Sequence, residues 1–220
     1  MGTRERRDRA KHQTRQMILD AARALFNEVG FSAFTMRTLA ERIEYTPTAI
    51  YHHFESKEAL VTELCHQDFG QLAEHFQTLV HIADPVERIR GVGEAFLEFA
   101  IRYPNHYRFM FMSGKPAVER PPEYLAERKG NPEEDAYAFF VRAVEEAIRQ
   151  DRLRPEFTDA HEVVQMLWGA AHGIISLHLS MSHDAWVPWR DLADTVRQVN
   201  RLLIQSLVRD AAAVPAVQVP

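Results

Sequence analysis

The sequence predicts an all-α protein, on three observations. Apolar residues recur at i, i+3, i+4 and i+7 in one segment after another, with capping residues at the starts and Gly or Pro at the stops. No run alternates with a period of two, and no Gly-rich turn leads from a strand into a helix. At 220 residues, 46% of them hydrophobic, the chain is long enough for a small domain joined to a larger one, each with a packed core. It contains no internal repeat.

Taken in order, Ile18, Ala21, Ala22, Leu25, Phe26 and Val29 form the inward face of a first helix over 15–29, and Gly30 stands where a C′ residue belongs. Thr35 N-caps a short second helix with Met36, Leu39, Ala40 and Ile43 inward, ending near Glu44. Thr46 caps a third, with Pro47 at N1, where its missing N–H costs nothing, and with Ile50 and Phe54 as anchors. Ser56 caps a fourth, whose stripe of Leu60, Leu64, Leu72, Phe76 and Leu79 runs to about Val80. Asp84-Pro85 opens the next, with Val86, Ile89, Gly93, Phe96, Leu97 and Ala100 inward. Pro104 stops it by disfavouring the helical state at Tyr103. A helical turn over NHYRFMFM follows, then a Pro- and Gly-containing loop over 113–131 with one turn of helix around Tyr124. Tyr137, Phe140, Val141, Val144 and Ile148 mark a helix over 133–150. Residues 158–180 are apolar on nearly every face, which implies burial both by their own domain and by something else. Leu192, Val196, Val199, Leu203 and Leu207 mark a last helix over 190–208. The expected organisation is a basic flexible arm at 1–13, a helix-turn-helix domain at 14–57, a helical bundle at 58–209 and a disordered tail at 210–220, with about nine helices in all.

The net charge of −5 is unevenly spread: residues 1–57 hold 10 Lys/Arg against 7 Asp/Glu, and residues 58–220 hold 16 against 24. Arg4, Arg6, Arg7, Arg9, Lys11 and Arg15 face only Glu5 and Asp8 within the first fifteen positions. A basic arm on an acidic body can orient a protein on a polyanion; the alternative is a solvated tail. The single cysteine, Cys65, excludes an intramolecular disulfide framework. The Arg-rich start lacks the apolar stretch of a secretory signal, so a cytoplasmic protein is expected. The most apolar run, MLWGAAHGIISLHLSM, is too short to span a membrane and carries two His.

Residues 46–60 read TPTAIYHHFESKEAL, crowding ring residues onto a segment too short to be a stable helix alone. The second and third helices, about three residues apart, match helix-turn-helix geometry, in which the later helix enters the major groove. With Ile50 and Phe54 inward, Thr48, Tyr51, His52 and part of His53 remain outward. Arg37, Tyr51, His53 and Lys57 can donate to phosphate oxygens, which sets register but not sequence. Lys57 also sits at a helix N-terminus, where backbone N–H groups point at an anion. Base reading then falls to Arg37, Thr48, Ala49 and His52, beside Pro47, through hydrogen bonds and methyl contact with thymine. The capping residues Thr35 and Thr46 complete the candidate DNA-binding set. In the blander alternative Tyr51 and His53 merely pack under the first helix.

The run TMRTLAERI…TPTAIYHHFESKEAL resembles the DNA-binding segment of the tetracycline-repressor (TetR) family, with Tyr51, His53, Phe54, Lys57 and Leu60 at the family spacing over roughly residues 14–62. It departs at Glu44 and Tyr45, where the family more often has Gly and a small aliphatic residue. YPNHYRFMF and LWGAAHGIISL are similar to the branch whose regulatory domain is marked by Trp, His and Gly, here Trp168, His172 and Gly173. The resemblance implies a homodimer built from the last two helices, a ligand cavity in each regulatory domain, and repression relieved by a small-molecule effector. Two-fold symmetry further implies a palindromic operator in double-stranded DNA.

Phe96, Phe99, Tyr103, Tyr107, Met110, Phe111, Tyr137, Phe140, Met166 and Trp168, with His172 as a polar group, are candidate ligand contacts for a flat or apolar effector, although at helical spacing most such residues are core. A larger residue at Gly93 or Gly173 is expected to fill that cavity. The eleven His are badly spaced for a metal: His52 and His53 adjoin, His75/His81 and His172/His178 are six apart, and neither HxxxH nor CxxC occurs. No metal and no cofactor are expected. His106 or His172 with Glu94 or Glu98 lacks a nucleophile or oxyanion element, so an enzyme is not expected. The reading is a repressor released by a small apolar or aromatic ligand; the alternative is a DNA-binding protein of the same fold that is controlled by a protein partner or is constitutive.

Overall fold

The computed structural model describes residues 3–112 and 129–209, apart from the side chains of residues 3, 4, 65, 68, 69 and 71. The thiol of Cys65, the helical turn around Tyr124 and the tail at 210–220 lie outside the described residues. Among these, nine α-helices form, and the only extended pairing is a bridge between Leu153 and Val208. The chain divides into two compact units, Met1–Phe69 with Tyr103–Glu119 and Gly70–Arg102 with Arg120–Pro220. The first is larger than the expected 14–57 domain because it extends to residues 1–69 and includes a helix from far along the chain.

In the first unit, α1 (Thr3–Ala33) is kinked at Gly30, whose φ of 68° and ψ of 179° only glycine adopts at low cost. The helix begins well before the expected residue 15, so residues 3–13 are helical where a flexible arm was expected. α2 (Met36–Arg42), α3 (Pro47–Tyr51) and the start of α4 (Lys57–Thr78) pack beneath α1 around Ile18, Leu19, Phe26, Phe34, Leu39, Ile50, Phe54, Leu60 and Leu64, all buried. Full burial of a side chain such as Phe26 contributes about 1.5–3 kcal/mol.

α6 (Pro104–Met112) joins this core through Phe109 and Met110. Just before the Gly30 kink, Asn105 Nδ2 donates to Phe26 O at 3.0 Å and to Asn27 O at 2.6 Å.

In the second unit, α5 (Pro85–Arg102), α7 (Ala136–Arg149), α8 (Ala160–Met181) and α9 (Leu192–Leu207) pack around Val86, Ile89, Val144, Val164, Leu167, Ile204 and Leu207. Asp84, Asp135, Asp159 and Asp191 accept backbone N–H bonds at the four starts. Arg88 is buried on the inward side of α5, which apolar periodicity does not foresee. Its guanidinium donates to Ile82 O at 2.7 and 3.1 Å and to Glu146 at 2.6 Å, so the charge is both paired and hydrogen-bonded. Burial raises the Asp84 carboxyl, but Arg152 at 2.8 Å and the backbone N–H groups of Val86 and Glu87 outweigh it and hold the group below its ordinary value.

Candidate nucleic-acid interface

The expected helix-turn-helix is present with its caps. Thr35 Oγ1 accepts from Thr38 N at 3.0 Å while Thr38 Oγ1 accepts from Thr35 N at 3.2 Å, a reciprocal capping box that fixes the start of α2. Thr46 Oγ1 accepts from Ala49 N at 3.2 Å, and Pro47 occupies the first turn of α3. Both threonine hydroxyls therefore serve the backbone.

α3 is five residues long, and its position depends on its inward side, with Ile50 fully buried and Phe54 nearly so. Pro47, Thr48, Tyr51 and His52 are exposed, while Ala49 is half-buried. Arg37 is exposed beside Glu41 at 3.0 Å, a surface pair worth about 0.3–0.5 kcal/mol that a phosphate can replace.

Between α2 and α3 the chain turns through Glu44 at φ 58°. Tyr45 N donates to Ala40 O at 2.9 Å and Glu44 N to Glu41 O at 3.4 Å, the pair of bonds of a Schellman C-cap with a glutamate at its left-handed C′ position.

Two expected phosphate donors are partly drawn into the unit. Lys57 Nζ donates to Phe31 O at 2.5 Å and lies 4.1 Å from the Phe31 ring centroid, tying the start of α4 to the end of α1. His53 is half-buried, and its Nδ1 is buried without a hydrogen-bond partner. Burial first, then the positive charges of Lys11 and Arg15 and the neighbouring His52, lower its pKa from 6.5. In the free chain these effects favour the neutral ring, which a nearby phosphate would oppose. Arg15 bridges the same region, with its guanidinium 4.6 Å from the Phe54 ring centroid and 3.3 Å from Glu63.

The candidate effector contacts are divided between the two units. Tyr103, Tyr107, Met110 and Phe111 belong to the first unit, where Met110 packs on the shared core and Tyr107 is fully buried, its phenol pKa pushed up by burial. Phe96, Phe99, Tyr137, Phe140, Met166, Trp168 and His172 belong to the second. Phe96 and Phe99 are buried, and Tyr137 and Phe140 pack on the core. Burial lowers the pKa of the half-buried His172. Met166 and Trp168 lie outside the buried face of α8, at 42% and 37% exposure. An open groove of about 500 Å³ in this unit is lined by Glu145, Ile148, Arg149 and Thr158 to His161, and shares no residue with the expected set. Beside it, Tyr137 OH lies 3.0 Å from His161 Nδ1, a pairing that sequence spacing does not reveal because the residues are on different helices. No group of three or more potential metal ligands occurs among the described residues.

The family model for bacterial regulatory proteins of the tetR family matches residues 18–64, and that for the tetracyclin repressor-like C-terminal domain matches residues 89–202. The chain belongs to the TetR family. Among relatives of this TetR-family chain, the HTH-type transcriptional regulator UidR of Escherichia coli K12 is 37% identical over 79 residues, 36% of this chain and 37% of UidR. The HTH-type transcriptional repressor KstR2 of Mycobacterium tuberculosis is 35% identical over 82 residues, 37% of this chain and 41% of KstR2. The matched region thus spans well under half the length of these relatives. A solved transcriptional regulator of the TetR/AcrR family from Thermobifida fusca shares the fold, with TM-score 0.64 and 24% identity over 90% of this chain and 100% of that one. The C-terminal match contains Trp168, His172 and Gly173, and is to the tetracyclin repressor-like domain rather than to a Trp-His-Gly branch by name. The Gly that the resemblance implies at position 44 would suit the Schellman cap, whose C′ residue needs a positive φ.

Proposed function

We propose that the chain is a cytoplasmic, homodimeric transcriptional regulator that represses from an inverted-repeat operator and is released by a small apolar or aromatic ligand. The observation that carries the DNA reading is the α3 segment, where Ile50 and, just past the helix, Phe54 are buried while Pro47, Thr48, Tyr51 and His52 are exposed. Thr48 and Ala49 lead into the major groove and read bases with His52 and Arg37, while Tyr51, His53 and the α4 start at Lys57 meet phosphates. No helix among the described residues is long and apolar enough to cross a membrane, so the outward apolar residues of α8 and α9 call for another cover. Met166, Leu177, Met181 and Leu202 are 40–53% exposed, and Gly169 and Gly173 have open space where a side chain would go. That combination supports a self-complementary two-helix interface in which small residues admit close approach.

Selection of bound duplexes from a random-sequence pool tests the reading: an inverted repeat with half-sites spaced by one helical turn or a multiple is expected, and recovery of unrelated sequences refutes it. Control by a protein partner is the second reading, favoured by Trp186, which stands 90% exposed between α8 and α9. If Trp186→Ser abolishes regulation while ligand binding persists, the partner reading replaces the ligand reading.

A further inference from the structure

The helix that replaces the expected flexible arm fixes the positions of its cations. α1 runs unbroken from Thr3 into the core, whose first residue is Ile18, and residues 5–13 are exposed throughout. On a helix, Arg7, Lys11 and Arg15 recur every four residues and make one row. The direction of that row is set by its inner member, since Arg15 packs over Phe54 and pairs with Glu63 at the α3–α4 junction. The same row therefore leaves the core on the side where the exposed Tyr51 and His52 end α3. Lys11 and Arg7 continue it outward by about 6 and 12 Å along the axis. Asp8 lies close to the row and reduces its charge, and Arg6 lies about 100° round the helix from Arg7.

We propose that the N-terminal part of α1 is a rigid helical rail that lays Lys11 and Arg7 on the phosphates of duplex DNA flanking the half-site read by α3. This rests on the DNA-binding reading above and extends it. A helix holds the two cations without the ordering cost that a disordered arm incurs on binding. It also lengthens the footprint beyond the helix-turn-helix, in a direction fixed by the Arg15–Phe54 contact.

Full-length wild type is compared with Arg7→Gln/Lys11→Gln and with Ala10→Pro, which keeps every charge but breaks the helix. A paired-glycine variant, Ala10→Gly/Gln13→Gly, weakens the helix without proline, and unchanged melting of all variants is checked first, since these positions lie outside the core. The probes are the duplex recovered by selection with long flanks, the same duplex trimmed to its half-sites, and a mixed-sequence duplex. On the long duplexes, removing the two charges is expected to reduce the slope of log K against log salt by about 2 per protomer. Ala10→Pro, which frees the turn carrying Arg7 but leaves Lys11 on the helix, is expected to lose about half of that slope, the paired-glycine variant most of it, and all variants to match wild type on the trimmed duplex.

If the charge variant loses slope but the helix-weakened ones do not, the segment acts as a flexible arm and the rail is refuted. If every variant keeps the wild-type slope, Arg7 and Lys11 touch no phosphate, and DNA binding stands without them. If wild type binds none of the duplexes, the DNA-binding reading fails and the rail with it.

Discussion

Replacing Glu44 by glycine should stabilise the protein, an unusual outcome for a substitution to glycine. Glu44 holds φ at 58° to close the Schellman cap of α2, and a residue with a Cβ in that left-handed region costs about 1–2 kcal/mol. Glycine removes that strain but gives up about 0.5–1 kcal/mol of conformational entropy to the unfolded chain. The net expectation is about 0.5–1 kcal/mol of added stability, a rise in melting temperature of about 1–4 °C at the usual response of 2–4 °C per kcal/mol. Thermal melting and urea titration followed by circular dichroism measure it. Glu44→Ala is the decisive control, because alanine removes the charge yet keeps the Cβ and should gain little. If alanine stabilises as much as glycine, the gain comes from removing a carboxylate, and the backbone argument is wrong. Asp151 repeats the arrangement after α7 at φ 55°, with Arg152 N donating to Ala147 O at 2.9 Å, although it also pairs with Arg209. Asp151→Gly should therefore gain less than Glu44→Gly.

Thr48→Ala should cost about 1–3 kcal/mol on the selected operator and relax base choice there, while leaving mixed-sequence binding unchanged in competition assays. An equal loss on both duplexes means that Thr48 meets phosphate instead. Leu177→Glu with Leu202→Glu, at positions 53% and 52% exposed, should give folded monomers in sedimentation with lost operator binding; a surviving dimer moves the interface elsewhere. Leu203, half-buried against the core of its own unit, is unsuited to that test because a charge there would unfold the unit as well. His53 sets a pH dependence. Its pKa in the folded chain lies below 6.5, so the unfolded state takes up the proton first, and stability falls as pH drops below about 6.5. His53→Gln should flatten that loss in urea titrations across pH 7 to 5, and an unchanged profile removes His53 from the account.

Much of the DNA-binding unit was legible because its signals are local. A cap acts within four residues, and the threonines at 35 and 46, the proline at 47 and the apolar spacing of Ile50 and Phe54 each state a geometry that the chain adopts. The turn at Glu44 was legible only as a departure, since nothing local marks a glutamate as left-handed. The start of α1 was misread for a related reason. Repeated Arg looks like a solvated tail, and the residues before Ile18 have no apolar stripe, yet propagation from a helix already anchored by the core adds each turn at little cost. Lys57 and Arg88 were invisible in their true settings because each partner is distant in sequence: a carbonyl at Phe31 in one case, a carboxylate at Glu146 in the other.

The regulatory residues were harder still, because an aromatic at helical spacing carries the same signal whether it fills a core or borders a ligand. Glycine is more ambiguous again, and Gly93 and Gly173 differ in what surrounds them. A Cβ on Gly93 would lie 2.8 Å from Asn200 Nδ2, so this glycine makes room for the Asn200 side chain of α9. Leucine there must first displace the Asn200 amide, a movable side-chain tip, and should cost about 1–3 kcal/mol of stability if that side chain cannot swing away. At Gly173 nothing lies within 4 Å of the added atom, and the residue sits in a helix with exposed apolar neighbours at Met166 and Leu177. Gly173→Leu should leave the melting temperature of the isolated chain unchanged or slightly raised and weaken self-association, read by sedimentation across concentration. If Gly173→Leu instead leaves association intact and abolishes the response to an effector, the open space beside Gly173 belongs to the ligand, and the two-helix interface must be sought on another face.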